Sequence, residues 1–153
     1  MSRRLHLVWL LALPTLFLGV AFGYENVYGN ALQSCSQDGM ALTGYTRTGY
    51  CVDQNDDAGS HHICIDLSST TTDAGNFCEV TGQDDWCSSE NMPCHEDPSA
   101  AYCSIQQWCV CQWAFASYLA NAGGCDQIQD TVCDAINMEA LKGYYQQKET
   151  SKY

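Results

Sequence analysis

Basic side chains are scarce in this chain of 153 residues. It has six lysines and arginines against 18 aspartates and glutamates, which gives a formal net charge of −12. A field of that sign repels the phosphates of nucleic acids and the head groups of anionic lipids. The composition therefore argues against a nucleic-acid partner, whereas cationic partners and divalent cations are compatible with it.

Several motifs that would indicate catalysis are missing. No G-x-S-x-G sequence is present, so the strained turn that carries the serine of many hydrolases is not indicated. No C-x-x-C sequence occurs, which removes the usual signature of zinc knuckles and of thiol–disulfide oxidoreductases. Paired carboxylates are direct neighbours in sequence and would point to opposite sides of an extended chain, unlike the facing pair of a glycosidase.

Only one long apolar run occurs, from Leu7 to Val20, and it follows Arg3 and Arg4. The small-x-small sequence at residues 21–23 completes the pattern of a secretory signal, so we predict a signal peptide over residues 1–23. The alternative is a membrane anchor, which needs roughly 20 apolar residues. We therefore expect a secreted protein that is not held in a membrane after cleavage, with a polar tail at residues 146–153.

Cysteine is abundant and lies wholly after the predicted signal. Such density in a short exported chain is typical of a disulfide scaffold, because a small core gains stability from each bridge. Because the number of cysteines is odd, we predict five bridges and one unpaired thiol, which could join two chains. The eleven cysteines are Cys35, Cys51, Cys64, Cys78, Cys87, Cys94, Cys103, Cys109, Cys111, Cys125 and Cys133.

The pattern of the chain predicts one α+β domain over residues 24–145. We expect strands at Tyr45–Val52, at His62–Leu67, where Ile63 and Ile65 alternate with Cys64 as in a half-buried strand, and at residues 108–111. Residues 68–76 read as a polar surface loop. Residues 77–106 read as a long excursion that is held by its own bridges and buries little apolar area.

Three helices are expected in the C-terminal part. The first spans Trp113–Ala122 and stops at the two glycines that follow. The second begins at about Asp126, since apolar residues recur there every four positions, and the third spans Met138–Tyr145. These helices should cover a small twisted sheet that comes from the N-terminal half.

Three blocks of sequence together resemble a known family. The first is Asn26-Val27-Tyr28-Gly29 with Leu32, Cys35, Asp38, Thr43-Gly44-Tyr45, Arg47, Gly49 and Cys51. The second is Asp57-Ala58-Gly59-Ser60-His61-His62-Ile63-Cys64, and the third is Trp108-Cys109-Val110-Cys111 followed by Leu141-Lys142-Gly143-Tyr144. In this set and order they resemble the family called domain of unknown function 2237.

The resemblance covers nearly the whole predicted mature chain and implies a small α+β domain, without an assigned activity. Relatives tend to have two adjacent cysteines where this chain has Tyr50-Cys51. The family-like frame contains five cysteines: Cys35, Cys51, Cys64, Cys109 and Cys111. The other six look like additions suited to life outside the cell.

Two groups of residues are candidate metal sites. His61, Cys64, Cys109 and Cys111 combine imidazole and thiol ligands on two predicted strands and could hold zinc in a tetrahedral site. The alternative is that these cysteines are bridge partners and His61 is a buried, hydrogen-bonded histidine. Cys109 and Cys111 could also form a redox-active pair, although their C-x-C ring would be strained.

Asp53, Asn55 and Asp57 place oxygen ligands at alternating positions, as calcium loops do. The turn glycine comes one position late and no glutamate stands at the twelfth position, so an EF-hand is excluded. The alternative is a solvated acidic turn. We expect no resident cofactor; zinc and calcium are the two ions that these residues could bind.

The sequence thus predicts a secreted structural or binding module that is stabilised by about five disulfides. Its expected partners are other extracellular proteins or a second copy of the chain, joined through the unpaired cysteine. The alternative function is a metal- or thiol-dependent enzyme that uses the cluster of His61, Cys64, Cys109 and Cys111.

Overall fold

The computed structural model describes residues 23–71, 73–94 and 101–143, and it confirms a small α+β domain. Residues 1–22 of the predicted signal peptide and the whole predicted polar tail fall outside these residues. In chain order the elements are β1 (Ile63–Asp66), α1 (Phe77–Thr81), β2 (Met92–Pro93), β3 (Tyr102–Cys103), β4 (Gln107–Val110) and α2 (Gln112–Ala122). In the described part, no helix is both long and apolar enough to cross a membrane.

The centre of the fold is the antiparallel pair of β1 and β4, in which Cys64 stands opposite Cys109. Ile63, Cys64 and Ile65 are all buried, so β1 is covered on both faces rather than on one as the alternation predicted. The β-branched isoleucines suit such a strand. A second small sheet joins β2 and β3 in antiparallel fashion.

The strand predicted at Tyr45–Val52 is wrong, because this segment is a series of turns and bends. Gly44 has a φ of 87°, and a Cβ at this position would lie 2.2 Å from the Tyr50 carbonyl oxygen. Arg47 also has a positive φ, of 56°. A chain that turns this tightly cannot pair as a strand.

The predicted strand at residues 108–111 and the first C-terminal helix are confirmed as β4 and α2. α2 ends at Gly123, which has a φ of 94° and donates its N–H to the Leu119 carbonyl as a left-handed cap. The buried Tyr118 of α2 packs edge-on against Phe77 of α1, with ring centroids 5.5 Å apart.

The prediction that residues 77–106 bury little apolar area is partly wrong. Asn76 and Glu79 form a capping box at the start of α1, and this short helix places Phe77 in the core with 1% of its surface exposed. Ile105 is buried in the same core. The non-periodic stretch therefore contributes core residues from short capped pieces.

The helix predicted from Asp126 is also wrong: two 3₁₀ turns, Cys125–Gln127 and Cys133–Ala135, replace it. The side chain of buried Gln129 holds the segment between them, since it accepts the Phe77 N–H at 2.9 Å and donates to the Leu67 carbonyl at 2.8 Å. These bonds outweigh the local helical pattern. Residues 139–143 are helical and agree with the third predicted helix, of which residues 144–145 lie outside the described part.

The structure has four disulfides instead of the five expected. Two link family-like cysteines, Cys35–Cys64 and Cys51–Cys109, and two close short loops, Cys78–Cys87 and Cys94–Cys103. All eleven cysteines lie in the described residues, and three of them are unbridged: Cys111, Cys125 and Cys133. These three are held at separate places, at the start of α2 and in the two 3₁₀ turns, so no fifth bridge forms.

Candidate functional site

The predicted zinc quartet is not formed. Cys64 is bonded to Cys35 and Cys109 to Cys51, and a disulfide sulfur cannot act as a thiolate ligand. The sulfurs of Cys35, Cys51 and Cys64 lie within 4.8 Å of one another because the two bridges are close neighbours in the buried core. The same pairing rules out a redox couple between Cys109 and Cys111.

The three predicted calcium ligands do not support a calcium loop. Asp53 Oδ1 lies 3.0 Å from His62 Nε2, whereas Asp57 faces His61 and Asn55 is exposed. Both carboxylate oxygens of Asp57 are occupied by N–H donors, and its side chain is only 1% exposed. The two aspartates therefore serve two different histidines.

Asp57 holds His61 in a fixed orientation. Its Oδ1 lies 2.7 Å from His61 Nδ1 and its Oδ2 accepts the backbone N–H of His61 at 2.8 Å. Burial raises the pKa of Asp57, but hydrogen bonds from the His61 backbone and ring, the charge of that ring and the Gly59 N–H outweigh it and lower the pKa below its ordinary value. An ionised Asp57 favours the His61 tautomer with its proton on Nδ1.

The loop between these residues is shaped around the imidazole. A Cβ on Gly59 would lie 2.5 Å from Cε1 and 3.0 Å from Nδ1 of His61, so only glycine fits beside the ring. Ser60 has a φ of 49°, a conformation that is costly for a residue with a Cβ. Tyr45 stacks on the His61 ring, with ring centroids 6.3 Å apart.

Cys111 and His61, which the sequence placed in one cluster, do lie together. Both line a cavity of about 290 Å³ whose walls include the indoles of Trp86 and Trp108. Cys111 is unbridged, half-buried and forms the N-cap of α2. The sequence pattern assigned the third member, Asp57, to the candidate calcium group instead, although Asp57 stands four residues before His61.

A second and larger concavity, the α2 groove, lies on the other side of the helix. Its volume is about 720 Å³. Trp113, Ala116 and Ala120 follow one face of α2 along it, and buried Ile63 and Ile136 also line it. Further lining residues are Val27, Leu119, Cys125, Ile128, Asp130 and Leu141. The sequence predicted α2 but not this groove. The opposite wall of the groove comes from the 3₁₀ segment, where the apolar periodicity wrongly predicted a helix.

Residues 25–147 match the family described as an uncharacterized protein conserved in bacteria, domain of unknown function 2237. The chain belongs to this family. Membership of the 2237 family confirms the resemblance seen in the three sequence blocks, and the match includes both the cavity and the α2 groove. No curated protein matches the chain. The family description assigns no activity.

Proposed function

We propose that this chain is an exported, disulfide-stabilised binding module whose ligand site is the α2 groove. The observation that carries the proposal is the groove itself, a concave and mainly apolar space of about 720 Å³. Sites for small molecules commonly have volumes of about 300–1,000 Å³ and a few polar groups on apolar walls. Trp113 and Leu141 are 42% and 39% exposed beside it, and such side chains gain by being covered.

The chemistry of the walls indicates the ligand class. Asp130 is the only charged side chain among the described residues that line the groove, and the whole chain carries a net charge of −12. An anionic ligand would meet repulsion from both. A neutral or cationic molecule with an apolar body therefore fits best.

Export is supported by two independent features. The first 23 residues have the pattern of a secretory signal, and the predicted mature chain has a net charge of −14, because that segment contains two of the six basic residues and no acidic one. The four disulfides belong to an oxidising compartment, where such bridges form and persist. Outside the cell, bridges substitute for the large core that a chain of this size lacks.

A pair of tryptophan substitutions tests the groove. In the mature protein from Tyr24 onwards, Ala116→Trp puts a large side chain into the groove, whereas Ser117 is the next exposed residue of α2 and does not line it. With Nile red as a neutral apolar probe and an alkylamine as competitor, Ala116→Trp should weaken probe binding about tenfold or more, the loss of one well-packed contact. Ser117→Trp should leave it unchanged. Absence of probe binding, or equal effects of the two substitutions, would remove the proposal.

A covalent dimer is the second candidate, since Cys125 is an exposed and unbridged thiol. An exposed thiol in an oxidising compartment can form a bridge between chains. On a non-reducing gel the protein should run partly as a dimer, and Cys125→Ser should abolish that band while Cys133→Ser keeps it. A wild-type protein that stays monomeric after mild oxidation would contradict this candidate.

A further inference from the structure

We infer that Cys111 is a nucleophilic thiol, that His61 accepts its proton, that Asp57 positions His61, and that the site reacts with disulfides. This activity lies beyond the binding proposed for the α2 groove and uses a different cavity. Its evidence is the meeting of an unbridged thiol with an aspartate-held imidazole in one recess of about 290 Å³.

The fold brings the two reactive groups together through backbone bonds. The N–H of Gln112, directly after Cys111, donates to the carbonyl of Ser60, directly before His61, at 3.1 Å. The Ser60 carbonyl also accepts the N–H of His62 at 2.8 Å. The start of α2 and the histidine loop are thereby fixed to each other, and both side chains line the same cavity.

His61 is held in an orientation in which it can act as a base. Its Nδ1 is bound to the Asp57 carboxylate, so Nε2 is the nitrogen left to accept a proton. The ring is 35% exposed, while the aspartate that holds it is buried. A nucleophile, a base and a third group that orients the base form the general arrangement for activating a weak nucleophile.

Cys111 is the N-cap of α2, a helix of 11 residues, and its side chain makes no capping bond. Serine, threonine, aspartate or asparagine would stabilise a helix better at this position. A thiolate there faces the positive end of the helix dipole. This position therefore holds a thiol that lines the same cavity as His61 and leaves the helix without a side-chain cap.

The proposed reaction is a thiol–disulfide exchange that balances without an external oxidant. The Cys111 Sγ–H proton moves to His61 Nε2, and the thiolate attacks one sulfur of a disulfide R–S–S–R′. The S–S bond of the substrate breaks, Cys111–S–S–R forms, and R′–S⁻ takes the proton back from His61. The protein gains one mixed disulfide and one substrate sulfur leaves as a thiol.

Disulfides fit this site better than acyl substrates do. Acyl transfer needs N–H donors aimed at a developing oxyanion, and the N–H of Gln112, the residue that follows Cys111, already donates to Ser60. Exchange at sulfur needs only a thiolate and a proton acceptor. Trp86 and Trp108, with ring centroids 6.0 Å apart in the cavity wall, offer apolar contact to sulfur and to an aromatic substituent.

The test compares two single-thiol forms of the mature protein with the neutral disulfide 2,2′-dithiodipyridine. One form carries Cys125→Ser and Cys133→Ser and keeps Cys111; the other carries Cys111→Ser and Cys133→Ser and keeps the more exposed Cys125. An ordinary thiol with a pKa of about 8.5 is about 3% ionised at pH 7, so proton transfer to His61 can raise the rate by at most about 30-fold. We expect Cys111 to react about tenfold faster than Cys125 after correction for nucleophilicity, although exposure alone predicts the reverse. In denaturant the two should react alike.

Substitutions at the base and its positioning residue complete the test. In the Cys111-only form, His61→Gly should lower the exchange rate about tenfold, and added imidazole should restore part of it. Asp57→Asn should change the pH profile of the rate, because the charge that faces the ring is removed; a lower rate with an unchanged profile would leave Asp57 a structural role only. The inference fails if Cys111 reacts no faster than Cys125, or if His61→Gly leaves the rate unchanged in a protein with all four bridges intact.

Discussion

The bridge between Cys51 and Cys109 should stabilise the fold far more than the bridge between Cys78 and Cys87. The first joins residues 58 positions apart and the second residues nine apart. A crosslink restricts the unfolded chain more strongly as the loop it closes becomes longer. The perturbation is to replace each pair by alanines in otherwise identical mature chains.

The chain-entropy relation gives the expected sizes. Loss of the long loop costs about 4 kcal/mol of the free energy of unfolding, and loss of the short loop about 2.5 kcal/mol. Packing acts weakly in the same direction, because Cys51 is 0% and Cys109 1% exposed, whereas Cys78 is 1% and Cys87 8% exposed. Removing the deeper sulfurs also leaves space in the core. The gap between the two variants should therefore be at least about 1.5 kcal/mol.

Urea unfolding with linear extrapolation measures the gap, and thiol counts before and after confirm that no other bridge has exchanged. The Cys78/Cys87 variant serves as the matched control, since it also loses one complete disulfide. Equal losses, or a larger loss from the short loop, would refute the view that the two buried central bridges are the main crosslinks of this fold.

Three further predictions concern local contacts. Because the pKa of Asp57 is lowered in the fold, its ionised carboxylate adds stability that is complete above the unfolded pKa of about 3.9 and is lost as the pH falls through the folded pKa. In thermal melting from pH 6 to pH 2, the melting temperature of Asp57→Asn should therefore fall less than that of the wild type. Tyr118→Phe should cost about 2 kcal/mol in urea unfolding, because the buried Gln129 N–H loses the hydroxyl that it contacts at 3.1 Å; a cost below about 0.5 kcal/mol would contradict this role. Asn76→Ala should cost about 1 kcal/mol by the same measurement, since it removes the 3.0 Å bond from the Glu79 N–H, and an unchanged stability would mean that the capping box does not hold α1.

Local signals in the sequence were sufficient for some elements. Trp113–Ala122 followed by two glycines predicted α2 and its end, and the alternation around Trp108 predicted β4. Both depend on interactions within a few residues. The segment from Asp126 failed for the opposite reason: bonds from Gln129 to residues 52 and 62 positions away decide its path, and no local pattern contains them.

The candidate sites were also predictable only in part from the sequence. The pattern brought His61 and Cys111 into one cluster, and the structure places them in one cavity. It also assigned Cys64 and Cys109 to that cluster, but their bridges to Cys35 and Cys51 depend on how distant segments cross in space. Asp57 was predicted to bind calcium because it alternates with Asp53 and Asn55. Its contact with His61 requires the loop to fold back over Gly59, which the alternation does not indicate.

The cysteine count is the most direct test of the whole account, because the fold, the groove and the reactive thiol all depend on it. Mature protein is denatured without reductant, alkylated, weighed intact and then mapped by peptide. For the monomer the account predicts three alkylated cysteines, Cys111, Cys125 and Cys133, with the other eight in four bridges. A single alkylated cysteine would mean a fifth bridge, and an alkylated Cys51 or Cys109 would mean that the central crosslink is absent; either result would contradict the account.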